Sequence, residues 1–153
     1  MIGCVLAATD GSEPSLAAVN TAIDLVRSLG PEARLHVASV VDYAGVPASL
    51  GKHPVGAPDL LSEQADEALA RAAAAVSAAG VEAEMHRLSG AVVESILGCA
   101  AAVGADLLVV GFHGHSRLAR LVIGSVTGQL VRSAALPVVV VTERRAPAGA
   151  QPV

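Results

Sequence analysis

The chain has 153 residues, of which 53% are hydrophobic but only 1% are aromatic, with no Trp. This length predicts a single domain that is large enough to bury a core. The scarcity of aromatic rings argues against base stacking on single-stranded nucleic acid. A formal net charge of −4 argues against a basic surface for duplexes. We therefore expect no nucleic-acid partner.

The high hydrophobic content raises the question of a membrane. A spanning helix needs roughly 20 consecutive apolar residues, and charged residues such as Asp24 and Asp106 interrupt the apolar runs. The N-terminal sequence shows no signal-peptide pattern. Cys4 and Cys99 have no motif spacing, so we expect buried free thiols in a reducing compartment. The sequence predicts a cytoplasmic protein that does not span a membrane.

Strand-like and helix-like patterns alternate along the chain. Short Val-rich runs indicate strands, apolar residues at helical spacing indicate helices, and clusters of Gly and Pro indicate turns. Residues 42–58 are predicted to be a long loop, and residues 144–153 a disordered tail after a single domain of residues 1–143. The predicted strands are 1–9, 33–41, 81–88, 106–111 and 137–142, and the predicted helices run from Ser12 to Gly30 and over 60–79, 90–103 and 125–134.

Strict alternation predicts a three-layer α/β fold of the Rossmann-like kind. Five parallel strands in the order 3-2-1-4-5 would carry four helices on the two faces of the sheet. Ligands bind such sheets beyond the carboxyl ends of the strands, where the winding direction reverses. This places Asp10, after the first strand, next to Gly111, at the end of the fourth.

A glycine pattern follows the fourth strand: Gly111, Gly114, Gly124 and Ser125 are spaced as G-x2-G-x9-G-S. A buried strand, a glycine-rich loop and a helix start together offer backbone N–H groups to an anion. The dinucleotide fingerprint G-x-G-x-x-G is absent after the first strand. Residues 45–52 resemble a P-loop only loosely, because five residues instead of four separate the glycines and the segment lies in a Pro-rich loop rather than between a strand and a helix. The glycine pattern is therefore the candidate phosphate site.

This pattern and its setting resemble the universal stress protein family, in particular its ATP-binding branch. The resemblance extends from the first strand to the fifth and is specific as a joint match. The segments that match the family pattern are Thr9-Asp10, Leu35-His36-Val37, Gly90 with Glu94, the run from Ala105 to Gly111, and Leu136-Pro137-Val138.

The resemblance implies an adenine nucleotide at the switch point, with ATP favoured, with or without Mg²⁺. ADP, AMP and cyclic AMP are the alternatives. Asp10 would bind ribose or adenine, and Gly111 and Gly114 would permit close backbone approach and positive φ. The implied adenine-side residues are Ala8, Thr9, Asp10 and Val37, and the implied phosphate-side residues are Gly111, Gly114, Gly124, Ser125 and Val126. Arg117 and Arg120, in the intervening loop, could add charge attraction, but the motif does not fix them.

Each candidate also has a structural interpretation. Asp10 could shape the Asp-Gly turn, and Ser125 could cap the fourth helix. His113 and His115 have no third metal ligand identifiable, so we interpret them as loop histidines near phosphate rather than a metal site. His36, within a strand, is interpreted as a core residue with satisfied hydrogen bonds.

The leading hypothesis is a regulatory nucleotide-binding protein without enzymatic activity. No clear general base or magnesium ligand set is apparent. An AMP or cyclic-AMP sensor, a slow ATPase and a protein that binds no nucleotide remain alternatives. Val138–Val141 would form an apolar edge strand, which predicts that a second copy covers it in a homodimer.

Overall fold

The computed structural model describes residues 1–43, 57–112 and 123–142. Most of the predicted loop at 42–58, the predicted site residues Gly114 and Arg117, and the C-terminal tail lie outside these ranges. The elements are β1 (Cys4–Ala8), α1 (Glu13–Leu29), β2 (Arg34–Val41), α2 (Ala57–Ala78), β3 (Ala83–Ser89), α3 (Val92–Val103), β4 (Leu107–Gly111), α4 (Ser125–Ser133) and β5 (Val138–Val141).

The ends of α1 follow the local sequence. The Ser12 side chain caps the helix by accepting a hydrogen bond from the Ser15 N–H, and Pro14 lies in the first turn. Both residue types are favoured there, because the first N–H groups of a helix have no partner within it. Gly30 ends the helix with φ of 107°, a conformation that glycine adopts without steric cost. The predicted bounds of α1 are confirmed.

Two helices begin away from their predicted positions. α2 starts at Ala57 rather than Leu60, since Pro58 is tolerated in a first helical turn, where its missing N–H costs nothing. α3 starts at Val92 rather than Gly90, because Gly90 has φ of 123° and is not helical. The prediction treated Pro58 as a helix breaker and Gly90 as a helix opener, and both interpretations were wrong.

The five strands form one parallel sheet in the order β3-β2-β1-β4-β5. This confirms the predicted topology. β1 is central and pairs with β2 on one side and β4 on the other, so the chain reverses its winding direction between β1 and β4. β3 and β5 are the two edges.

Two apolar cores lie on opposite faces of the sheet. On the first face, Val5, Ala7 and Val37 belong to a cluster that includes residues of α1 and α2. On the second face, Leu6 and Ala38 belong to a cluster that includes residues of α3 and α4. Neighbouring residues of a strand therefore point to different helical layers.

Cys4 and Cys99 are buried and free, as predicted. In the described parts of the chain, every helix falls short of the length and apolar character that crossing a membrane requires.

Candidate functional site

The turn between β1 and α1 is held by a network of hydroxyl groups. The Thr9 and Ser15 hydroxyl oxygens lie 2.9 Å apart in a buried hydrogen bond. The Gly11 N–H donates to Thr9 Oγ1 at 3.1 Å, and the Asp10 N–H donates to Ser15 Oγ at 3.2 Å. The Thr9 N–H donates to the Ala38 carbonyl at 2.9 Å. Side chains thus satisfy backbone groups that the end of the strand would leave without partners.

Asp10 has a structural role in this turn. Its Oδ1 accepts hydrogen bonds from the Ser12 N–H at 3.0 Å and from the Ser12 hydroxyl. A side-chain oxygen that bonds the backbone two residues later is typical of Asx turns. The interpretation of Asp10 as a turn-shaping residue is confirmed, while its predicted contact with a nucleotide stays a prediction.

Gly111 is required by close packing. A Cβ atom at this position would lie 2.7 Å from the Pro14 carbonyl carbon and oxygen and 2.9 Å from the Ser15 nitrogen. Gly111 is the last residue of β4 and, unlike Gly11 with φ of 81°, has no positive φ. The close approach expected of Gly111 is therefore made to the first turn of α1, and the expectation of a positive φ was wrong.

The start of α4 returns to the end of β4. The Gly124 N–H donates to the Phe112 carbonyl at 3.1 Å, and the Phe112 N–H donates to the Val141 carbonyl at 2.9 Å. The buried Thr127 hydroxyl donates to the Gly111 carbonyl at 2.7 Å. These bonds hold the first turn of α4 against the carboxyl end of the sheet.

Ser125 does not cap α4, so that interpretation was wrong. The N-cap residue is Gly124, and no described side chain makes a cap hydrogen bond to it. Ser125 is instead the first residue of the helix and is exposed, as is Val126. An exposed hydroxyl group therefore lies beside the first N–H groups of the helix, which have no partner within it.

The structure brings together most of the predicted site. We call the region formed by Thr9-Asp10, Gly111-Phe112 and Gly124-Ser125 the switch-point edge. Ala8 is half-buried beside it. Val37 is fully buried in the core of the first face, and the predicted adenine contact at Val37 stays a prediction.

Residues that the sequence did not single out also shape this edge. Arg71 of α2 donates to the Gly11 carbonyl and, at 3.2 Å, to the Glu13 carboxylate. This arginine is half-exposed and fixes the β1–α1 turn from a neighbouring helix. Nothing in its local sequence indicates the contact, because the contact depends on how α1 and α2 pack.

His36 corrects another expectation. It is buried as predicted, but its Nε2 atom has no hydrogen-bond partner among the described residues. Burial lowers the pKa of His36; the nearby His86 and Arg34 lower it further, and Glu84 opposes them. The buried ring is therefore disfavoured in its charged form. The interpretation as a satisfied core histidine was wrong.

The fold and the switch-point edge define a class of protein. This is a doubly wound α/β domain in which backbone N–H groups and hydroxyl groups gather where the strand order reverses, as in domains that bind ligands beyond the strand ends. The sequence model described as the Universal stress protein family matches residues 1–142. The chain belongs to the universal stress protein family.

Individual relatives agree with this membership. Universal stress protein MJ0531 of Methanocaldococcus jannaschii is 32% identical over 134 residues, which cover 87% of this chain and 78% of the relative. Stress response protein NhaX of Bacillus subtilis is 26% identical, and the match covers 90% of this chain and 96% of the relative.

Solved structures share the fold. The protein MJ0577 superposes with a TM-score of 0.75 over 95% of this chain and 99% of its own, at 22% identity. A universal stress protein crystallised in complex with cAMP has a TM-score of 0.65 and 29% identity, and covers 92% of this chain and 97% of its own.

Proposed function

We propose that the chain binds an adenine nucleotide, ATP in the first place, at the switch-point edge and acts as a dimeric regulatory protein. The observation that carries the proposal is the convergence of three elements at one place. The end of β1, the end of β4 and the first turn of α4 meet where the winding direction of the sheet reverses.

The start of α4 supports binding of phosphate groups. Its N-cap is a glycine, and no described side chain occupies the first-turn N–H groups through a cap bond. These N–H groups and the positive end of the helix dipole favour an anion. The exposed Ser125 adds a hydroxyl donor. The residues 113–122 that precede this turn contain Gly114 and Arg117, which we propose as further phosphate ligands.

The chain's similarity to the universal stress protein crystallised with cAMP supports an adenine nucleotide over other anions. It also favours a second candidate, a sensor of cyclic AMP or AMP. Such a sensor would use the β1 side of the edge, at Ala8, Thr9 and Asp10, and would depend less on the start of α4. The two candidates differ in how strongly they need the β- and γ-phosphates.

Calorimetric titration separates these candidates. We expect measurable heat with ATP, weaker binding of AMP and cyclic AMP, and tighter ATP binding when Mg²⁺ is present. A ligand at 100 times its Kd stabilises the folded state by about 2.7 kcal/mol, which a thermal shift would detect. The absence of binding for ATP, ADP, AMP and cyclic AMP alike would refute the proposal. Preference for cyclic AMP over ATP would favour the sensor.

A charge reversal at α4 tests where the phosphates bind. Ser125→Glu places a carboxylate at the exposed first residue of the helix, so we expect at least a tenfold loss of ATP affinity with little change in stability. Gln129→Glu makes the same charge change one turn later, at another exposed position of α4, and should leave affinity within about twofold, because the influence of the helix N-terminus falls off within the first turn. Equal affinities in the two variants would contradict this location.

We propose that the chain is not an enzyme, with slow ATP hydrolysis as the alternative. If purified protein produced ADP, Asp10→Asn should stop it, whereas Ser12→Ala should not. Asp10→Asn keeps an oxygen that can accept from Ser12 but removes the charge, whereas Ser12→Ala removes the hydroxyl contact and keeps the charge, so the pair separates a role of the carboxylate from a role of the turn. ATP hydrolysis that is lost in Asp10→Asn and kept in Ser12→Ala would show that the protein is an ATPase and not only a nucleotide-binding protein.

The proposed dimer forms through β5. All four residues of Val138–Val141 are half-exposed, and the strand is an edge of the sheet. The Pro137 and Val141 carbonyls accept hydrogen bonds from β4, so the alternate residues Val138 and Val140 direct their backbone groups away from β4. An apolar edge with outward backbone groups is suited to pairing with a second copy of the same strand.

Proline substitutions on β5 test the dimer. Val140→Pro removes an N–H group that faces away from β4, so we expect a folded monomer by light scattering. Val139→Pro removes an N–H group that faces β4 and should destabilise the fold itself. A Val140→Pro protein that remains a dimer would rule out this interface.

A further inference from the structure

A group of three potential metal ligands lies on the second face of the sheet, away from the switch-point edge. His36 comes from β2, and Glu84 and His86 come from β3. His36 pairs in register with Glu84, and Ala38 pairs with His86. Because Glu84 and His86 are two residues apart on one strand, their side chains share a face of the sheet with His36. We call these residues the His–Glu–His cluster.

The potential ligand atoms of the cluster lie close together. His36 Nδ1 lies 2.9 Å from His86 Nε2. Glu84 Oε2 lies 3.7 Å from His36 Nδ1, and Glu84 Oε1 lies 3.8 Å from His86 Nε2; both distances are beyond hydrogen-bond distance. One oxygen or nitrogen from each residue falls within 4.8 Å of the others. Each residue thus offers one potential ligand atom to the same small region of the sheet.

Hydrogen bonding within the cluster does not satisfy these groups. A neutral imidazole has one N–H donor and one acceptor nitrogen. Whichever ring donates across the contact between His36 and His86, His36 Nε2 still has no partner among the described residues. Leaving a buried polar atom without a partner is costly. An ion bound through His36 Nδ1 would leave Nε2 unchanged, so the case for a metal rests on the placement of the three ligand groups and not on this atom.

We propose that the His–Glu–His cluster binds one divalent transition-metal ion, Zn²⁺ in the first place. Zn–N and Zn–O bonds are about 2.0–2.1 Å long, so two ligand atoms of one ion lie no more than about 4.2 Å apart. The two ring nitrogens, 2.9 Å apart, meet this limit. Each ring nitrogen also meets it with a different Glu84 oxygen, at 3.7 Å to Oε2 and 3.8 Å to Oε1, and rotation of the exposed carboxylate would bring one oxygen near both rings. Imidazole ligands favour Zn²⁺, Ni²⁺ or Cu²⁺ over Mg²⁺ and Ca²⁺, which prefer oxygen.

The surroundings of the cluster suit a metal site. The His36 side chain is 8% exposed and the His86 side chain 18%, whereas the Glu84 side chain is 69% exposed. The two rings are thus held by the surrounding protein, while the carboxylate can rotate to present either oxygen. Because β3 is an edge strand, the ion can enter from solvent at the Glu84 side. Three protein ligands leave a fourth tetrahedral position for water.

The cluster is separate from the proposed nucleotide site. His36 and Val37 are neighbours in β2, but Val37 packs in the core of the first face, and His36 points to the opposite face. The cluster also lies along β2 and β3 rather than at the carboxyl ends of the central strands. Metal binding and nucleotide binding can therefore be tested independently.

Titration of the nucleotide-free protein with Zn²⁺ tests the proposal. We expect one ion per chain and a rise in melting temperature. His86→Ala should weaken Zn²⁺ binding by at least about 100-fold, and Glu84→Gln by at least about tenfold, since loss of a mere outer-shell partner already costs 10–100-fold. Glu84 is exposed, so Glu84→Gln should remain folded even if substitution of the buried His36 does not.

The controls test three other potential metal ligands of the chain. His113→Ala with His115→Ala removes the H-G-H pair, and Cys99→Ser removes the thiol on the same side of the sheet; both proteins should bind Zn²⁺ within about twofold of the original. No Zn²⁺ binding by the original protein would overturn the proposal. So would unchanged affinity in His86→Ala and Glu84→Gln, or a loss of affinity that follows His113 and His115.

Discussion

The switch-point edge and the His–Glu–His cluster are two different kinds of proposed site on one sheet. The first is made mainly of backbone N–H groups and hydroxyls at strand ends and at the start of α4. The second is made of side chains from the middle of two adjacent strands. A backbone site depends on turns and glycine spacing, which are local in sequence. A cross-strand site depends on strand register, which is set by residues far apart in the sequence.

This difference explains why the sequence predicts one site and not the other. The spacing of Gly111, Gly124 and Ser125 indicates an anion site from the residues alone. His36 and His86 are 50 positions apart, and no motif joins them. Their approach requires β2 and β3 to be neighbours and in a register that aligns His36 with Glu84. Slipping that register by one residue would move Glu84 and His86 to the other face.

Gly111→Ala should give the largest effect and should separate the two sites. The new Cβ would meet the backbone of Pro14 at 2.7 Å, and a backbone segment cannot move aside as a flexible side chain can. We expect a loss of about 3 kcal/mol of unfolding free energy, the upper end for overpacking, measured by urea denaturation. Nucleotide binding should be lost, while the protein that remains folded should still bind Zn²⁺.

Gly98→Ala is the matched control for that variant. Gly98 is an exposed residue of α3, and a Cβ there would contact nothing within 4 Å. Replacing glycine by alanine within a helix should stabilise the protein by up to about 1 kcal/mol. Equal stability of Gly111→Ala and Gly98→Ala would contradict the close packing of β4 against the first turn of α1.

Thr127→Val should have an intermediate effect and test how α4 is held at the switch-point edge. Valine matches threonine in shape but cannot donate to the Gly111 carbonyl, which would lose its 2.7 Å partner. We expect a cost of about 1–2 kcal/mol in unfolding free energy and weaker ATP binding, with Zn²⁺ affinity unchanged.

Thr21→Val supplies the comparison for the loss of a hydroxyl. The Thr21 hydroxyl donates to the Ala17 carbonyl within α1, a bond that duplicates a helical one, so its loss should cost no more than about 0.5 kcal/mol. A Thr127→Val protein as stable as Thr21→Val would show that the Thr127 bond does not fasten α4.

Asp106→Asn should have the smallest effect, at the opposite end of the strands. Asp106 Oδ2 accepts from the Gly3 and Cys4 N–H groups, each at 2.9 Å, and these bonds hold the pKa of the Asp106 carboxyl below its usual range. A carboxyl with a lower pKa in the folded state stabilises the protein above its unfolded-state pKa. That stability is lost as the pH falls through the folded-state pKa.

We therefore expect the urea midpoint of the original protein to fall more steeply between about pH 5 and pH 2 than that of Asp106→Asn. Asp24→Asn, at an exposed position of α1, is the control and should keep the steep fall. Parallel pH profiles for the original protein and Asp106→Asn would show that the two backbone bonds do not depend on the charge. Nucleotide and Zn²⁺ binding at neutral pH should be unaffected.

The sequence by itself determined the topology of this protein and the place of its switch-point edge. Alternating strand and helix patterns restrict the chain to a parallel sheet with right-handed crossovers, and Ser12 and Gly30 mark the ends of α1 through local hydrogen bonding and backbone freedom. Family membership followed from the same local motifs. The physical reason is that capping, turns and periodicity act between residues close in sequence.

Only the tertiary structure determined which residues of different helices and strands are in contact. It showed that Gly111 makes room for Pro14, that Arg71 fastens the Gly11 turn, and that Thr127 holds α4 to β4. It also brought His36 to Glu84 and His86. These contacts depend on helix packing and on strand register, which the whole core sets and no short segment of sequence contains.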